Sequence, residues 1–196
     1  MRMLKDWHDW VGTFTGVVFL TVAALPLAAL AVWALARRRS GTPVTPAWAW
    51  RMSLAEVGIV YGTVPWVWMT MLPGDRAGVS LVPLRDLLTI LADRGPVELT
   101  GQVVGNLLVF AALGFIAPLR FAALASVPRI LALAAGCSIL VETAQYVLQL
   151  DRVSSVDDVL LNATGAGLAA LASRRWWRAT ARASSDRPRS ATAPQR

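Results

Sequence analysis

Polar and charged side chains interrupt an otherwise apolar part of the chain between Val141 and Gly167. They include Glu142, Gln145, Tyr146, Gln149, Arg152, Asp157, Asp158 and Asn162. Ionisable groups at the edge of hydrocarbon carry a large desolvation cost, so their presence favours a functional role. A desolvated carboxyl group can act as a general acid or base, and an arginine can pair with a phosphate. This stretch is therefore the candidate site.

The composition of the chain is that of a membrane protein. Its 196 residues are 56% apolar and 16% charged, with a mean hydropathy of +0.52. Soluble domains carry roughly 25% charged residues. The net charge of +7 could indicate nucleic acid binding, but the arginines form clusters that flank apolar runs. This arrangement is typical of membrane topology, so we predict no nucleic acid partner.

Five apolar runs approach or exceed the roughly 20 helical residues that span a bilayer. They lie at 11–36, 53–72, 100–119, 130–150 and 157–173. The first run is too long for the apolar part of a signal peptide and follows Asp6 and Asp9, so we interpret it as a retained helix. The chain is therefore predicted to cross the membrane five times.

A segment between the second and third runs has the pattern of a short amphipathic helix. Leucines recur at helical spacing along one face, and polar residues lie mainly on the other side: Leu84, Leu87, Leu88 and Leu91 against Arg85, Asp86, Thr89 and Asp93. The segment is too short to span, so we predict that it lies in the membrane interface. The predicted fold class is all-α: a polytopic membrane helix bundle of about five transmembrane helices plus one interfacial amphipathic helix.

Basic residues are distributed unevenly between the two sides of this topology. With the N-terminus outside, 13 of the 19 Lys and Arg residues fall on the cytoplasmic side and 6 fall outside. The positive-inside rule therefore predicts a multi-pass protein of the cell membrane with a cytoplasmic C-terminus. We divide the chain into an N-terminal two-helix region (1–79), a domain with three transmembrane helices (80–173) and a basic disordered tail (174–196).

This topology brings polar residues of three spans to one level in the outer half of the membrane. At about 1.5 Å per residue, Asn106, Glu142 and Asn162 lie roughly 6–10 Å below the outer helix ends. The amphipathic segment would roof a pocket above them. The predicted ligand-binding residues are Asn106, Glu142, Gln145, Arg152, Asp157, Asp158 and Asn162, and the catalytic candidates are Glu142 and Asp158.

A structural interpretation of the same residues is also open. Polar side chains inside membrane bundles hydrogen-bond neighbouring helices, and Asp157 could cap the fifth helix. The glycines on the third and fifth helices are typical of close helix packing: Gly101 and Gly105, and Gly165 and Gly167.

No cofactor or metal is predicted for this chain. His8 and Cys137 are single residues of their types, so neither has partners for a histidine or cysteine metal site. Asp157 and Asp158 could instead bind a divalent cation through their oxygens, and this alternative stays open.

The polar series resembles the VanZ-like family over about residues 80–172. The matching residues are Gly105-Asn106-x-x-x-Phe110, Leu113-Gly114-Phe115, Pro118, Glu142-x-x-Gln145, Arg152, Asp157-Asp158-x-x-x-Asn162, Gly165 and the segment Ser80-Leu-Val-Pro83-Leu. Ala112 and Leu84 depart from the family pattern, but neither belongs to the charged set. The resemblance implies a bacterial integral membrane protein, and the founding member is associated with resistance to teicoplanin, a lipid-tailed glycopeptide.

Several functions are compatible with these residues. The first is binding of a lipid or cell-envelope component in the outward pocket, with membrane lipids, a lipid-linked cell-wall precursor or a glycopeptide as partners. In this hypothesis Arg152 or Arg85 would pair with a phosphate. The second is an enzyme that acts on a lipid-linked substrate through Glu142 and the Asp157-Asp158 pair. A transporter is disfavoured because no inverted repeat is visible, and a purely structural role and the oligomeric state are left open.

Overall fold

The computed structural model describes residues 15–40, 45–74 and 77–185, with side chains up to residue 179. The helices are α1 (Thr15–Ser40), α2 (Pro46–Thr70), α3 (Arg85–Arg94), α4 (Pro96–Val109), α5 (Ala111–Arg120), α6 (Val127–Val147) and α7 (Val156–Ser185), with a 3-10 turn at Ala122–Leu124. The predicted all-α class is confirmed. His8, the start of the first predicted span (11–14) and the end of the predicted tail (186–196) lie outside the described residues.

Helix α7 is the centre of the bundle and packs against α4, α5 and α6. Three consecutive small residues on α7 contact these three helices. Gly165 lies against the backbone of Leu107, Ala166 lies against Gly114, and Gly167 contacts the side chain of Leu131. Because small residues let helix backbones approach closely, this triplet is the crossing point of the bundle. The predicted close packing at Gly165 and Gly167 is confirmed.

The buried core of the bundle is small and surrounds this crossing point. It consists of Val109, Phe110, Ala117, Ile130, Ala134, Ala166 and Ala170. Large apolar side chains instead lie on the outside of the helices, with Leu27 and Leu140 each about 70% exposed. Contiguous exposed apolar surface of this kind marks contact with a membrane or a partner. The exposed surface therefore agrees with a protein that is embedded in lipid.

Three helical segments of the described residues are long and apolar enough to cross a membrane. They are Thr15–Ser40, Pro96–Arg120 and Val127–Val147. The predicted second and fifth spans, in α2 and α7, are long enough to cross a membrane but are less apolar than these three segments. Glycine and tyrosine residues lower the mean hydropathy of α2. Helix α7 begins with two aspartates and carries small residues along its buried face. Five crossings therefore stay a prediction.

Two boundaries differ from the predicted ones in an informative way. The predicted third span consists of two helices, α4 and α5, which meet at the buried Phe110, where the backbone leaves the helical region (φ −112°, ψ 17°). Helix α7 continues to Ser185, past the predicted end at Ser173, so the arginines at 174–178 are helical.

A short parallel sheet, which the sequence did not predict, joins two distant loops. Strands β1 (Gly78–Ser80) and β2 (Val153–Ser155) pair with Gly78 opposite Val153 and Ser80 opposite Ser155. Because β1 leads into α3 and β2 leads directly into α7, this pairing sets α3 beside the first turn of α7. The candidate site is built at this junction.

Candidate functional site

A cavity of about 180 Å³ lies at the end of the bundle where α3, α4 and the loop before β2 meet. We call it the polar pocket. Its lining residues are Gly74, Asp86, Thr89, Ile90, Asp93, Arg94, Gln102, Asp151, Arg152, Val153 and Asp158. Two of the predicted site residues, Arg152 and Asp158, line this pocket.

Asp158 is the most buried of the charged residues that line the polar pocket. Its side chain is 9% exposed, and one carboxylate oxygen accepts a hydrogen bond from Gln102 Nε2 at 2.8 Å. The same oxygen accepts a second bond from Asn106 Nδ2. Gln102 and Asn106 lie one turn apart on α4, so a single helix face supplies both donors. Two neutral amides therefore orient the carboxylate without neutralising its charge.

Arg152 reaches the polar pocket from a tight loop between α6 and β2. Its guanidinium donates a hydrogen bond to the backbone oxygen of Leu72 at 3.3 Å. Next to it, Asp151 adopts a left-handed conformation (φ 49°), and Gly74 N–H donates to Leu150 O at 2.8 Å. A Cβ on Gly74 would lie 2.5 Å from Asp151 O, so the loop needs glycine at this close approach. These backbone contacts fix the position of Arg152.

Asp157 does not line the polar pocket, and its carboxylate holds the start of α3. Its carboxylate accepts hydrogen bonds from the backbone N–H groups of Leu84 (2.5 Å), Asp86 (3.2 Å) and Leu87 (3.3 Å). These are free donors at the N-terminus of α3, where negative charge is favoured. The structural alternative predicted that Asp157 caps its own helix, α7. The carboxylate instead caps the N-terminus of α3.

Glu142, Gln145 and Asn162 do not line the polar pocket, and each joins two elements by a hydrogen bond. Glu142 Oε2 accepts the N–H of Ser155 at 3.1 Å and so holds β2, while Gln145 Nε2 donates to Thr70 O at 2.7 Å. Asn162 Nδ2 donates to Ser138 Oγ at 2.7 Å between α7 and α6. Glu142 is therefore not a lining residue of the polar pocket, but its carboxylate lies close enough to Asp158 and Arg152 to interact with both electrostatically.

The polar pocket also uses residues that the sequence did not assign to the site. Four of them lie on one side of α3: Asp86, Thr89, Asp93 and Arg94. The spacing of Asp86, Thr89 and Asp93, at i, i+3 and i+7, is the signal that could have identified them. The opposite face of α3 is exposed, with Leu84 at 61% and Leu88 at 63%. Helix α3 therefore turns its polar side towards the protein and its leucines outwards.

Comparison with known proteins identifies the chain at this point. A protein-family model described as VanZ/LLP1 matches residues 53–177. The chain belongs to the VanZ/LLP1 family. The search of curated proteins and the search of solved structures gave no match. The family assignment and the spanning helices together make this a membrane protein.

The VanZ/LLP1 match extends further towards the N-terminus than the resemblance at 80–172. It includes most of α2 and the whole polar pocket, but it excludes α1. Helix α2 and the residues after it contact the predicted site residues, since the backbone oxygens of Thr70 and Leu72 accept hydrogen bonds from Gln145 and Arg152. Helix α1 packs against α2 and lies outside the matched segment.

Asp86 makes the stability of this VanZ/LLP1 protein depend on pH. Burial raises the pKa of its carboxyl, the negative charge of Asp157 raises it further, and Arg94 lowers it. Because the folded-state pKa lies above the unfolded value, the ionised group lowers stability at neutral pH. This cost disappears as the pH falls through the folded pKa and below the unfolded one.

Asp86→Asn is therefore expected to raise the melting temperature at pH 7 by about 1–2 °C. The gain should shrink as the pH is lowered towards 4, because the wild-type carboxyl is then protonated in the folded protein. Thermal unfolding of the purified protein in detergent measures both values. Thr89→Ala, on the same side of α3, is the control and should give no pH-dependent change. A loss of stability at pH 7 in Asp86→Asn would contradict the expectation.

Proposed function

We propose that this VanZ/LLP1 protein binds the polar part of a lipid or another cell-envelope component in the polar pocket. The observation that supports this most strongly is Asp158, which is nearly buried yet borders the cavity together with Arg152. A fixed carboxylate and a fixed guanidinium in a half-enclosed site offer directed, charge-assisted hydrogen bonds to a ligand. Helix pairing alone does not require an open cavity between these charges.

The charges of the polar pocket suit a ligand that carries both an acceptor and donors. Two arginines can pair with a phosphate or carboxylate of the ligand. Four aspartates can accept hydrogen bonds from its hydroxyl, amide or amine groups. The charged lining residues are Arg94, Arg152, Asp86, Asp93, Asp151 and Asp158. A phospholipid headgroup or a phosphorylated sugar has both kinds of group.

The outward leucines of α3 support a ligand with an apolar part. Leu84, Leu88 and Leu91 are exposed on the face opposite the polar pocket, where water would make their exposure unfavourable. A helix that lies in the membrane interface places such leucines in hydrocarbon and its polar side at headgroup level. A lipid-linked ligand would then bring its headgroup to the polar pocket from the bilayer itself.

The proposal includes the topology of five crossings with the polar pocket outside. Helices α2 and α7 have 25 and 30 residues, which corresponds to about 37 and 45 Å, enough to cross a hydrocarbon core of about 30 Å. Both pack between helices that are apolar enough to span. The arginine clusters lie at the opposite end from the polar pocket, so the positive-inside rule favours an outward pocket.

The family resemblance adds a candidate class of ligand. A lipid-linked cell-wall precursor, or the polar part of teicoplanin, would combine an apolar tail with a headgroup rich in hydrogen-bonding groups. A link to glycopeptide resistance is part of this proposal. It predicts that cells carrying the protein tolerate teicoplanin better than cells carrying a variant with a disrupted polar pocket.

Native mass spectrometry of the purified protein in detergent tests the binding proposal. The wild type is expected to retain a defined lipid or lipid-linked molecule. Asp158→Asn and Arg152→Gln should each reduce its occupancy about tenfold, since one good charge-assisted contact accounts for about 1.5–3 kcal/mol. The control is Arg129→Gln, because Arg129 lies at the other end of the bundle and contacts Ala123 O. Equal occupancy in all four proteins would refute the proposal.

A further inference from the structure

A second cavity lies between α1 and α2, on the far side of the bundle from α7. We call it the α1–α2 groove. It has a volume of about 480 Å³, and its walls are almost entirely apolar, with Leu27, Ala28 and Ala31 on α1 and Val57 and Val60 on α2. Across it, the Tyr61 hydroxyl on α2 donates a hydrogen bond to the backbone oxygen of Thr21 on α1 at 2.6 Å.

One end of the α1–α2 groove carries a cluster of three charges. Glu56 lines the groove and accepts a bond from Arg39 at 2.6 Å on one oxygen. Its other oxygen accepts bonds from Arg120 Nε at 2.8 Å and from an Arg120 terminal nitrogen at 2.6 Å. Two guanidiniums therefore share one carboxylate. The cluster has a net charge of +1 and sits half-buried at the mouth of an apolar groove.

The surroundings of this cluster are positive as well. Arg37, Arg38 and Arg39 form the last turn of α1, and Arg120 is the last residue of α5. Clusters of arginine beside a membrane span attract anionic lipids, by about 1 kcal/mol for each basic residue near the surface. The charged end of the α1–α2 groove is therefore complementary to a phosphate at headgroup level.

The dimensions of the α1–α2 groove fit one acyl chain. From Glu56 to Trp68, both of which line it, α2 rises about 18 Å. One leaflet of a bilayer with a hydrocarbon core of about 30 Å is roughly 15 Å deep. A helix segment of 18 Å length and about 10 Å diameter would occupy roughly 1,400 Å³, three times the volume of the groove. A partner helix could lie across the groove but could not fill it.

We infer that the α1–α2 groove binds an anionic phospholipid of the leaflet on the arginine-rich side. The phosphate contacts Arg39 and Arg120, and one acyl chain lies between α1 and α2. Helix α1 and Arg39 lie outside the segment that matches the VanZ/LLP1 family, whereas Glu56 and Arg120 lie inside it, so the site combines both parts of the chain. It is independent of the polar pocket, which lies at the other end of the bundle.

Lipid titration of the delipidated protein, followed by native mass spectrometry, tests this inference. Phosphatidylglycerol and phosphatidylcholine with the same 16-carbon chains are the two probes. The wild type is expected to bind phosphatidylglycerol at least about fivefold more tightly. Arg39→Gln should remove this preference. Equal binding of the two lipids by the wild type, or a preference that persists in Arg39→Gln, would overturn the inference.

A matched pair of variants in α1 tests the groove itself and does not disturb the charge cluster. Ala28→Phe fills the α1–α2 groove, whereas the adjacent Ala29 is exposed and does not line it. Ala28→Phe is expected to weaken binding of phosphatidylglycerol about fivefold or more, and Ala29→Phe should bind as the wild type does. Equal affinities of these two variants would place the lipid elsewhere. A lipid-free wild-type dimer that Ala28→Phe dissociates would identify a second copy as the occupant and would also overturn the inference.

Discussion

Gly165→Ala and Gly114→Ala are each expected to destabilise the folded protein at or above the upper end of the roughly 1–3 kcal/mol typical of overpacking. A Cβ on Gly165 would overlap the backbone of Leu107, and a Cβ on Gly114 would overlap the backbone of Ala166. A flexible side chain can move away from such an overlap, but a helix backbone can do so only if the helices separate. Chemical or thermal unfolding in detergent measures the loss, and both variants should also reduce the yield of folded protein.

The same helices provide the control for this prediction. A Cβ on Gly101 or Gly105 of α4 would meet nothing within 4 Å. Gly101→Ala and Gly105→Ala are therefore expected to be neutral or slightly stabilising, because alanine is the better helix former by about 0.5–1 kcal/mol in water. Similar losses in all four variants would show that glycine is needed for some reason other than helix contact at the crossing point.

This contrast shows what the sequence could predict about the glycines. The spacing of Gly101 and Gly105 is the same as in a close-packing motif, but a motif does not reveal which helix face meets a neighbour. On α4 the next residues, Gln102 and Asn106, face Asp158 on α7. Since each residue turns the helix by about 100°, the glycines lie on a different face. The prediction of close packing was wrong for this pair.

The helices themselves were largely predictable, because apolar runs of spanning length have few other interpretations. The central helix was the hardest to judge. A helix that packs on three others needs small residues, so α7 has a lower hydropathy than the helices that face lipid. Strands β1 and β2 could not be predicted, since each has three residues and they are far apart in the chain.

The candidate site was predictable in its residue types but not in its partners. The sequence identified Arg152 and Asp158, which line the polar pocket, and Asn106, which holds Asp158. It also grouped Glu142 with them, and Glu142 interacts electrostatically with Asp158 and Arg152, but its hydrogen bond to the N–H of Ser155 was not predicted. Such partners depend on loop geometry, and no periodicity encodes them. The sequence predicted that this amphipathic segment would roof the pocket, but it did not assign the polar side of α3 to the site.

Asp157→Asn is expected to release α3 while the bundle stays folded. The carboxylate, 1% exposed, accepts three backbone N–H groups at the start of α3, including that of Leu84, whose left-handed backbone (φ 66°) is unfavourable for a bulky residue. An asparagine has a single acceptor oxygen, so at least one buried donor loses its partner, which costs about 1–3 kcal/mol. At about 2 kcal/mol, protection of the α3 amides from hydrogen exchange should fall roughly 30-fold.

Asp158→Asn is the matched control for the release of α3, because the two aspartates are adjacent on α7 and only Asp157 contacts the backbone of α3. Asp158 is held by side chains of α4, so its variant should leave the protection of residues 84–94 unchanged. Equal effects of the two variants would mean that general loss of charge at the start of α7 loosens α3.

If the loss of the cap on α3 is responsible, Asp157→Asn should also lower the occupancy of the ligand, since α3 contributes Asp86, Asp93 and Arg94 to the polar pocket. Asp158→Asn would also lose the ligand, but with α3 still ordered. The two variants would thus distinguish a residue that positions the pocket, Asp157, from a residue that contacts the ligand, Asp158.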